Sequence, residues 1–209
     1  MTALALLTAV PLGVSTAIYL VEYAKKSNRA VPLIRVTAET LAGIPSIVYG
    51  LFGLLFFVTY LKWGFSLLAG SFTLSIMILP LIMRTTEEAL KSVPDAWREG
   101  SFGLGAGRLR TVFVIILPAA MPGILAGVIL AIGRIVGETA ALIYTAGSVA
   151  QVPSSLFDSG RTMSVHMWAL SSEALHINEA YATAVVLLFI VVGINTFSAM
   201  MARKLMMEQ

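Results

Sequence analysis

Two ionisable side chains stand alone deep in an apolar run, Arg134 and Glu138, within Ala131-Ile132-Gly133-Arg134-Ile135-Val136-Gly137-Glu138. If the run is helical, they lie about one turn apart on one face. An arginine at the centre of a membrane span costs at least about 2.5–3.5 kcal/mol on insertion scales, so it usually meets a partner or a water-filled path. Two readings follow: an ion pair that pins two helices, or a binding point in a pathway. Arg84, at the inner end of another apolar run, fits the pathway reading and equally fits a side chain that snorkels to the interface. Other chemistry has little support. The chain contains no cysteine, and its two histidines, His166 and His176, lack zinc-ligand spacing. An intramembrane enzyme using Glu138 with a histidine or serine would need turnover without ATP or partners. The absence of paired catalytic carboxylates argues against it.

A second constellation spans Glu99 to Pro118, reading Glu99-Gly100-Ser101-x3-Gly105-x9-Ile115-x-Leu117-Pro118. Before it, Thr85 or Thr86 is expected to cap a helix whose positive end suits Glu87 and Glu88. Pro94 suits the first turn of a further short helix, with Ser92 as a possible cap. That helix puts Val93, Trp97, Gly100/Ser101 and Leu104 on one stripe and leaves Asp95, Arg98 and Glu99 on other faces. A short amphipathic helix with a small-residue centre fits a groove on a partner, or lies on the bilayer. Gly103, Gly105 and Gly107 do not make a nucleotide loop, because no G-x4-G-K-[ST] follows a strand. Gly105 instead permits a sharp turn into the next membrane helix.

The elements that must carry these residues are hydrophobic. Apolar residues make up 58% of the 209 positions and charged ones 12%, with a mean hydropathy of +0.89. Soluble domains carry about 25% charge. A span needs about 20 apolar residues, and five segments qualify, roughly 2–23, 44–61, 65–83, 112–133 and 181–202. The expectation is an all-α membrane protein with about five transmembrane helices in one domain, 1–209. Its cytoplasmic region covers about 84–111 and its extracytoplasmic loop about 145–180. Lys and Arg accumulate on the cytoplasmic side of membranes. Of the 14 here, eleven fall in 24–43, 84–111 and 203–209, Lys26, Arg203 and Lys204 among them. Only Lys62 and Arg161 fall in 62–64 and 145–180, and Arg134 lies within a span. This bias explains the basic pI without nucleic acid, and it places Glu99 in the cytoplasm.

Met1 then lies outside, followed by Thr2-Ala3-Leu4 with neither the basic flank nor the cleavage site of a signal peptide. The expectation is that a preceding span is missing from this chain. The linker 27–43 reads as a surface helix, with Leu33, Val36, Thr40 and Leu41 on one face and an Arg35–Glu39 pair opposite. It breaks at Gly43-Ile44-Pro45-Ser46. Pro80 predicts a kink in the third span. Gly123-x3-Gly127 and Gly133-x3-Gly137 predict close helix contacts. In the outer loop, Met163, Met167, Leu170 and Ala174 form one side of an interfacial or re-entrant helix that either docks a partner or anchors to the membrane.

The Glu99–Pro118 spacing resembles the E-A-A-x3-G-x9-I-x-L-P coupling motif of importer permeases of the ATP-binding-cassette class. Gly100 and Ser101 stand where the motif has alanines; glycine weakens a helix by about 1 kcal/mol relative to alanine, so the coupling helix is expected to order fully only on the ATPase. The runs Leu81–Leu90 and Ala131–Ala140 resemble the second, A-type permease subunit of phosphate importers. So do Pro11-Leu12-Gly13, Glu22-Tyr23-Ala24, Gly43-Ile44-Pro45-Ser46 and Ser155-Leu156-Phe157-Asp158-x-Gly160. The resemblance covers essentially the whole chain and implies a type I importer permease core, multi-pass in a prokaryotic inner membrane. It implies a second permease subunit, an ATPase dimer and an extracytoplasmic phosphate-binding protein as partners. ATP and Mg would be used by the ATPase, and this chain would bind no cofactor, metal or nucleic acid. Arg134, Glu138 and Arg84 would lie on the substrate path, with Glu138 holding Arg134. Trp97, Glu99, Gly100, Ser101, Leu104 and Gly105 would couple to the ATPase. An arginine fork suits a phosphate dianion because it donates two hydrogen bonds and keeps its charge. A permease for another oxyanion or solute would keep the coupling motif without needing Arg134 and Glu138.

Overall fold

The structure, a computed structural model, describes residues 1–25, 29–172 and 176–207, with side chains described up to residue 200. Lys26 and Ala174, and the side chains of Arg203 and Lys204, lie outside the described residues. All regular structure among the described residues is helical. Nine helices follow in order: α1 Thr2–Tyr23, α2 Ala30–Ala42, α3 Ser46–Tyr60, α4 Leu67–Ser92, α5 Asp95–Gly103, α6 Arg108–Val136, α7 Ala140–Ile143, α8 Met163–Ser172 and α9 Ile177–Met207. Of these, α1, α4, α6 and α9 are long and apolar enough to cross a membrane. The expected span at 44–61 is different. α3 is bent 99° from α2, and its 15 residues reach only about 22 Å, against a hydrocarbon core of about 30 Å. α2 and α3 together form a broken span or a re-entrant pair.

α4 is the centre of the bundle, packed along α1 on one side and α6 on another. Its apolar residues, among them Leu74, Met77, Ile78, Ile82 and Leu90, are buried against both neighbours. Small residues set how near α6 comes. A methyl group at Gly123 would lie 2.6 Å from Ala89 Cβ, and one at Gly127 would run into Thr85. The expected Gly123-x3-Gly127 contact is therefore the α4–α6 seam. In the second glycine pair, Gly133 faces Asn195 of α9, while Gly137 ends α6.

α4 runs through Pro80 without a break, and Thr85 and Thr86 lie inside it, not at a cap. Thr85 Oγ1 donates back to the carbonyls of Leu81 and Ile82. The helix continues to Ser92, and its last turns still bury Thr86, Glu87, Ala89 and Leu90. Its outer end is capped by the distant loop. Leu67 N–H donates to Asp158 O, Leu68 N–H to Leu156 O, and Ala69 N–H to Ser66 Oγ. The N–H groups of the first turn, which lack partners within a helix, are thereby satisfied. Asp158 Oδ2 accepts from the Ser154 hydroxyl and from the backbone N–H groups of Ser154 and Ser155. These bonds, the Ser154 hydroxyl first, hold its carboxyl below the usual carboxylate range.

Three helices contain π-helical turns: Tyr19–Tyr23, Leu54–Tyr60 and Val112–Ile116. The third directly precedes Leu117-Pro118. Pro118 has no N–H for the Val114 carbonyl and its ring crowds it, so a widened turn relieves the ladder there.

Candidate functional site

The end of α1, α2, the end of α4, α5 and the start of α6 meet at one end of the bundle, and α5 carries the exposed candidate residues. Pro94 precedes the first turn of α5, where Asp95 sits at the positive end. Ser92 is no cap; its hydroxyl donates to Ala89 O. The helix closes through Leu104 N–H to Gly100 O and Ala106 N–H to Ser101 O. Gly105 then takes φ +83°, a left-handed conformation that favours glycine. The sharp turn expected at Gly105 is present.

The expected stripe divides. Val93 and Ser101 turn inward, and Ser101 Oγ hydrogen-bonds Thr111 Oγ1 at 2.8 Å, joining α5 to the first turn of α6. Trp97, Glu99, Gly100 and Leu104 remain outside, Leu104 at 92% exposure. Phe102 and Leu109 add exposed apolar surface beside them. One of the two small residues thus fits α6, while the other leaves the outer surface flat.

Arg98, which the sequence pattern puts on another face, and Arg108 anchor this surface. Arg98 Nη2 lies 2.8 Å from Glu22 Oε1 of α1, and the two side chains are 15% and 8% exposed. The same guanidinium donates to Leu90 O and Val93 O, carbonyls at the end of α4, and to Asp95. It therefore ties α5 to α1 while satisfying carbonyls that a helix end leaves open. The sequence signal was an acid, Glu22, at the end of an apolar span just before Lys25 and Lys26. Arg108 lies over the Tyr23 ring at 5.9 Å, which brings the start of α6 to the end of α1 as well.

Charges on α2 also choose distant partners. The expected Arg35–Glu39 pair does not form. Arg35 pairs with Glu87 at 3.1 Å, and Lys91 completes that pair at 2.7 Å. Glu39 instead faces Arg84 at 3.8 Å, and Arg84 is also held by Glu88 at 3.1 Å. The geometry favours α4 because Glu87 is 7% exposed and needs compensation that an exposed pair does not. Arg84 lines a charged cleft of about 200 Å³ with Arg35, Glu39, Glu87, Glu88 and Lys91.

Arg134 occupies a different cleft, of about 520 Å³, lined by Leu81, Ala126, Ile129, Leu130, Gly133 and Asn195. The α4–α6 seam pairs Thr85 with Gly127 and Ala89 with Gly123. Extending this antiparallel register puts Arg134 about six residues, or roughly 9 Å, outward of Arg84. The two arginines do not share a cavity. Nor does Glu138 hold Arg134: no carboxylate among the described residues pairs with it within 4 Å. The reason is local. α6 ends at Val136, Gly137 caps it, and the chain turns. Glu138 Oε1 accepts from Ala141 N–H at 3.2 Å, capping α7, while its carbonyl accepts from Ser164 Oγ of α8. Arg134 thus presents its charge from an exposed helix face into an otherwise mostly apolar cleft.

Comparison with known proteins agrees with this architecture. Residues 9–205 match the family described as the binding-protein-dependent transport system inner membrane component. The chain is 38% identical over 192 residues to the probable ABC transporter permease protein YqgI of Bacillus subtilis (strain 168), covering 86% of this chain and 65% of that protein. It is 36% identical over 201 residues to the phosphate transport system permease protein PstA of Mycobacterium leprae (strain TN), covering 93% and 64%. The chain thus spans about 65% of the length of these relatives. Its fold superposes on a chain of the inward-facing MetNI methionine ABC transporter with a TM-score of 0.79 at 18% identity, covering 98% of this chain and 88% of the other. The described helices therefore form the core of a type I ABC importer permease, and the chain belongs to the family of inner membrane components of binding-protein-dependent transport systems.

Proposed function

We propose that this chain is a permease subunit of an ATP-driven importer of inorganic phosphate and supplies half of its translocation path. The observation that carries this reading is Arg134, a fixed charge in a mostly apolar cleft facing away from the chain's own core. A charge so placed in a span needs water, a substrate or a partner beside it. Similarity to permeases named for phosphate transport supports phosphate as the anion. A second permease would close the cleft, and an extracytoplasmic binding protein would deliver the ion. A separate ATPase dimer, using ATP and Mg, would act on Trp97, Glu99, Gly100 and Leu104. The setting is the inner membrane of a prokaryote. This chain does no ATP hydrolysis and holds no cofactor of its own.

Transport then follows from two properties. The guanidinium fork offers two hydrogen bonds to an oxyanion and stays charged at any working pH. With Glu138 engaged at α7, no carboxylate among the described residues competes with the ion for Arg134. Movement of α5 by the ATPase reaches the path through the Ser101–Thr111 contact at the start of α6, the helix that carries Arg134 near its other end. Arg84 lies nearer the cytoplasm, where its pairs with Glu88 and Glu39 make it a candidate later contact.

The test is ATP-dependent uptake of labelled phosphate and sulfate into vesicles bearing the complete complex, native and Arg134→Ala side by side. Phosphate-selective uptake that falls at least about tenfold in the variant, with assembly intact, is expected from loss of a charged hydrogen-bond partner. Sulfate uptake, or phosphate uptake indifferent to Arg134, would leave a permease for another solute.

A further inference from the structure

We infer that Asn195 is a second contact for the anion held at Arg134; this rests on the phosphate-path reading. Asn195 lies on α9 and lines the same cleft as Arg134. A primary amide offers two donors and an acceptor, yet Asn195 forms no hydrogen bond with any described residue. In hydrocarbon such a group would stay unsatisfied, a state membrane helices avoid. The cleft supplies a reason for its presence.

Gly133 shows how near the amide lies to α6. A methyl group there would lie 3.5 Å from Asn195 Oδ1 and 3.7 Å from Nδ2, so the amide rests against the backbone of α6 one residue from Arg134. The two polar side chains of this cleft, one from α6 and one from α9, therefore sit together among apolar neighbours. Their chemistry is complementary. The guanidinium supplies charge and two donors in one plane, whereas the amide supplies a neutral donor from a second direction. A tetrahedral oxyanion has oxygens for both, and a neutral donor orients it without binding it as tightly as a second cation would. The fit is to a small hydrated oxyanion and not to an extended apolar solute.

The experiment uses the complete reconstituted complex with labelled inorganic phosphate, measuring phosphate moved per ATP hydrolysed. Native chain, Asn195→Ala, Asn195→Asp and Arg134→Ala are compared, with subunit recovery checked for each. Asn195→Ala is expected to lower the ratio roughly tenfold, the scale of one hydrogen bond to a charged group. Asn195→Asp should fall further, because a carboxylate of the same size pairs with Arg134 and repels the anion. A native ratio in both Asn195 variants while Arg134→Ala is defective would overturn the Asn195 assignment alone. If Arg134→Ala is also native, the path reading itself falls. Loss of subunits from the Asn195 variants would make the amide an interface contact and overturn the assignment as well.

Discussion

At the scale of single residues, a charge takes its role from the partner it reaches. Arg134 and Arg84 are chemically identical, yet among the described residues one has no carboxylate partner in its cleft and the other lies between Glu88 and Glu39. Asp158 shows the same dependence outside the membrane. Hydrogen bonds from Ser154 and Ser155 favour its ionised form, and its folded pKa is depressed. The stability it contributes is present above the unfolded value of about 3.9 and is lost as pH falls through the folded value below that. Asp158→Asn should therefore lower the melting temperature above pH 5, where the stabilisation is fully present, and flatten the acid limb, so that native and variant curves converge towards pH 3. Melting curves of the purified chain from pH 3 to 7 provide the check, and parallel native and variant limbs would contradict it.

At the scale of elements, the distance between α4 and α6 is set by glycine. Gly127 leaves space that Thr85 fills, so Gly127→Ala must push the helices apart at a cost of about 1–3 kcal/mol. Gly133→Ala meets only Asn195 at van der Waals distance, and alanine's better helix propensity, up to about 1 kcal/mol, offsets any loss. The expected order of melting temperatures for the reconstituted complex is Gly133→Ala at or above native, with Gly127→Ala below both. Equal melting of the two variants would show that the α4–α6 seam does not depend on close approach. The capping of α4 by the 155–158 loop belongs to this scale as well, because it joins the outer segment to the central helix through backbone bonds alone.

For the whole molecule, the proposed coupling through α5 requires its exposed surface to be joined to the rest. Arg98 joins α5 to Glu22 of α1 and to the end of α4. Arg98→Ala leaves Glu22 buried and unpaired, a change worth about 3–5 kcal/mol in comparable pairs. In the assembled transporter the expected result is ATP hydrolysis that persists while phosphate uptake drops by about tenfold or more. Parallel loss of both activities would mean that Arg98 only stabilises α5. Preserved uptake would show that force passes through Ser101 and Thr111 alone.

Much of this was legible in the sequence for a simple reason. Apolar run length and the Glu99–Pro118 spacing are properties of local chain, and helix geometry converts them directly into apolar spans and a short helix closed by a turn. Gly105 at its left-handed turn and Gly123-x3-Gly127 at a helix seam were readable for the same reason. Pairings between distant elements were not. Arg98 meets Glu22 across 76 residues, Arg35 passes over its neighbour Glu39 for Glu87, and Glu138 caps α7 instead of holding Arg134. Those outcomes depend on where helices end and which side chains burial leaves in need of a partner. Periodicity places a residue on a face, but only the packed bundle decides what that face meets.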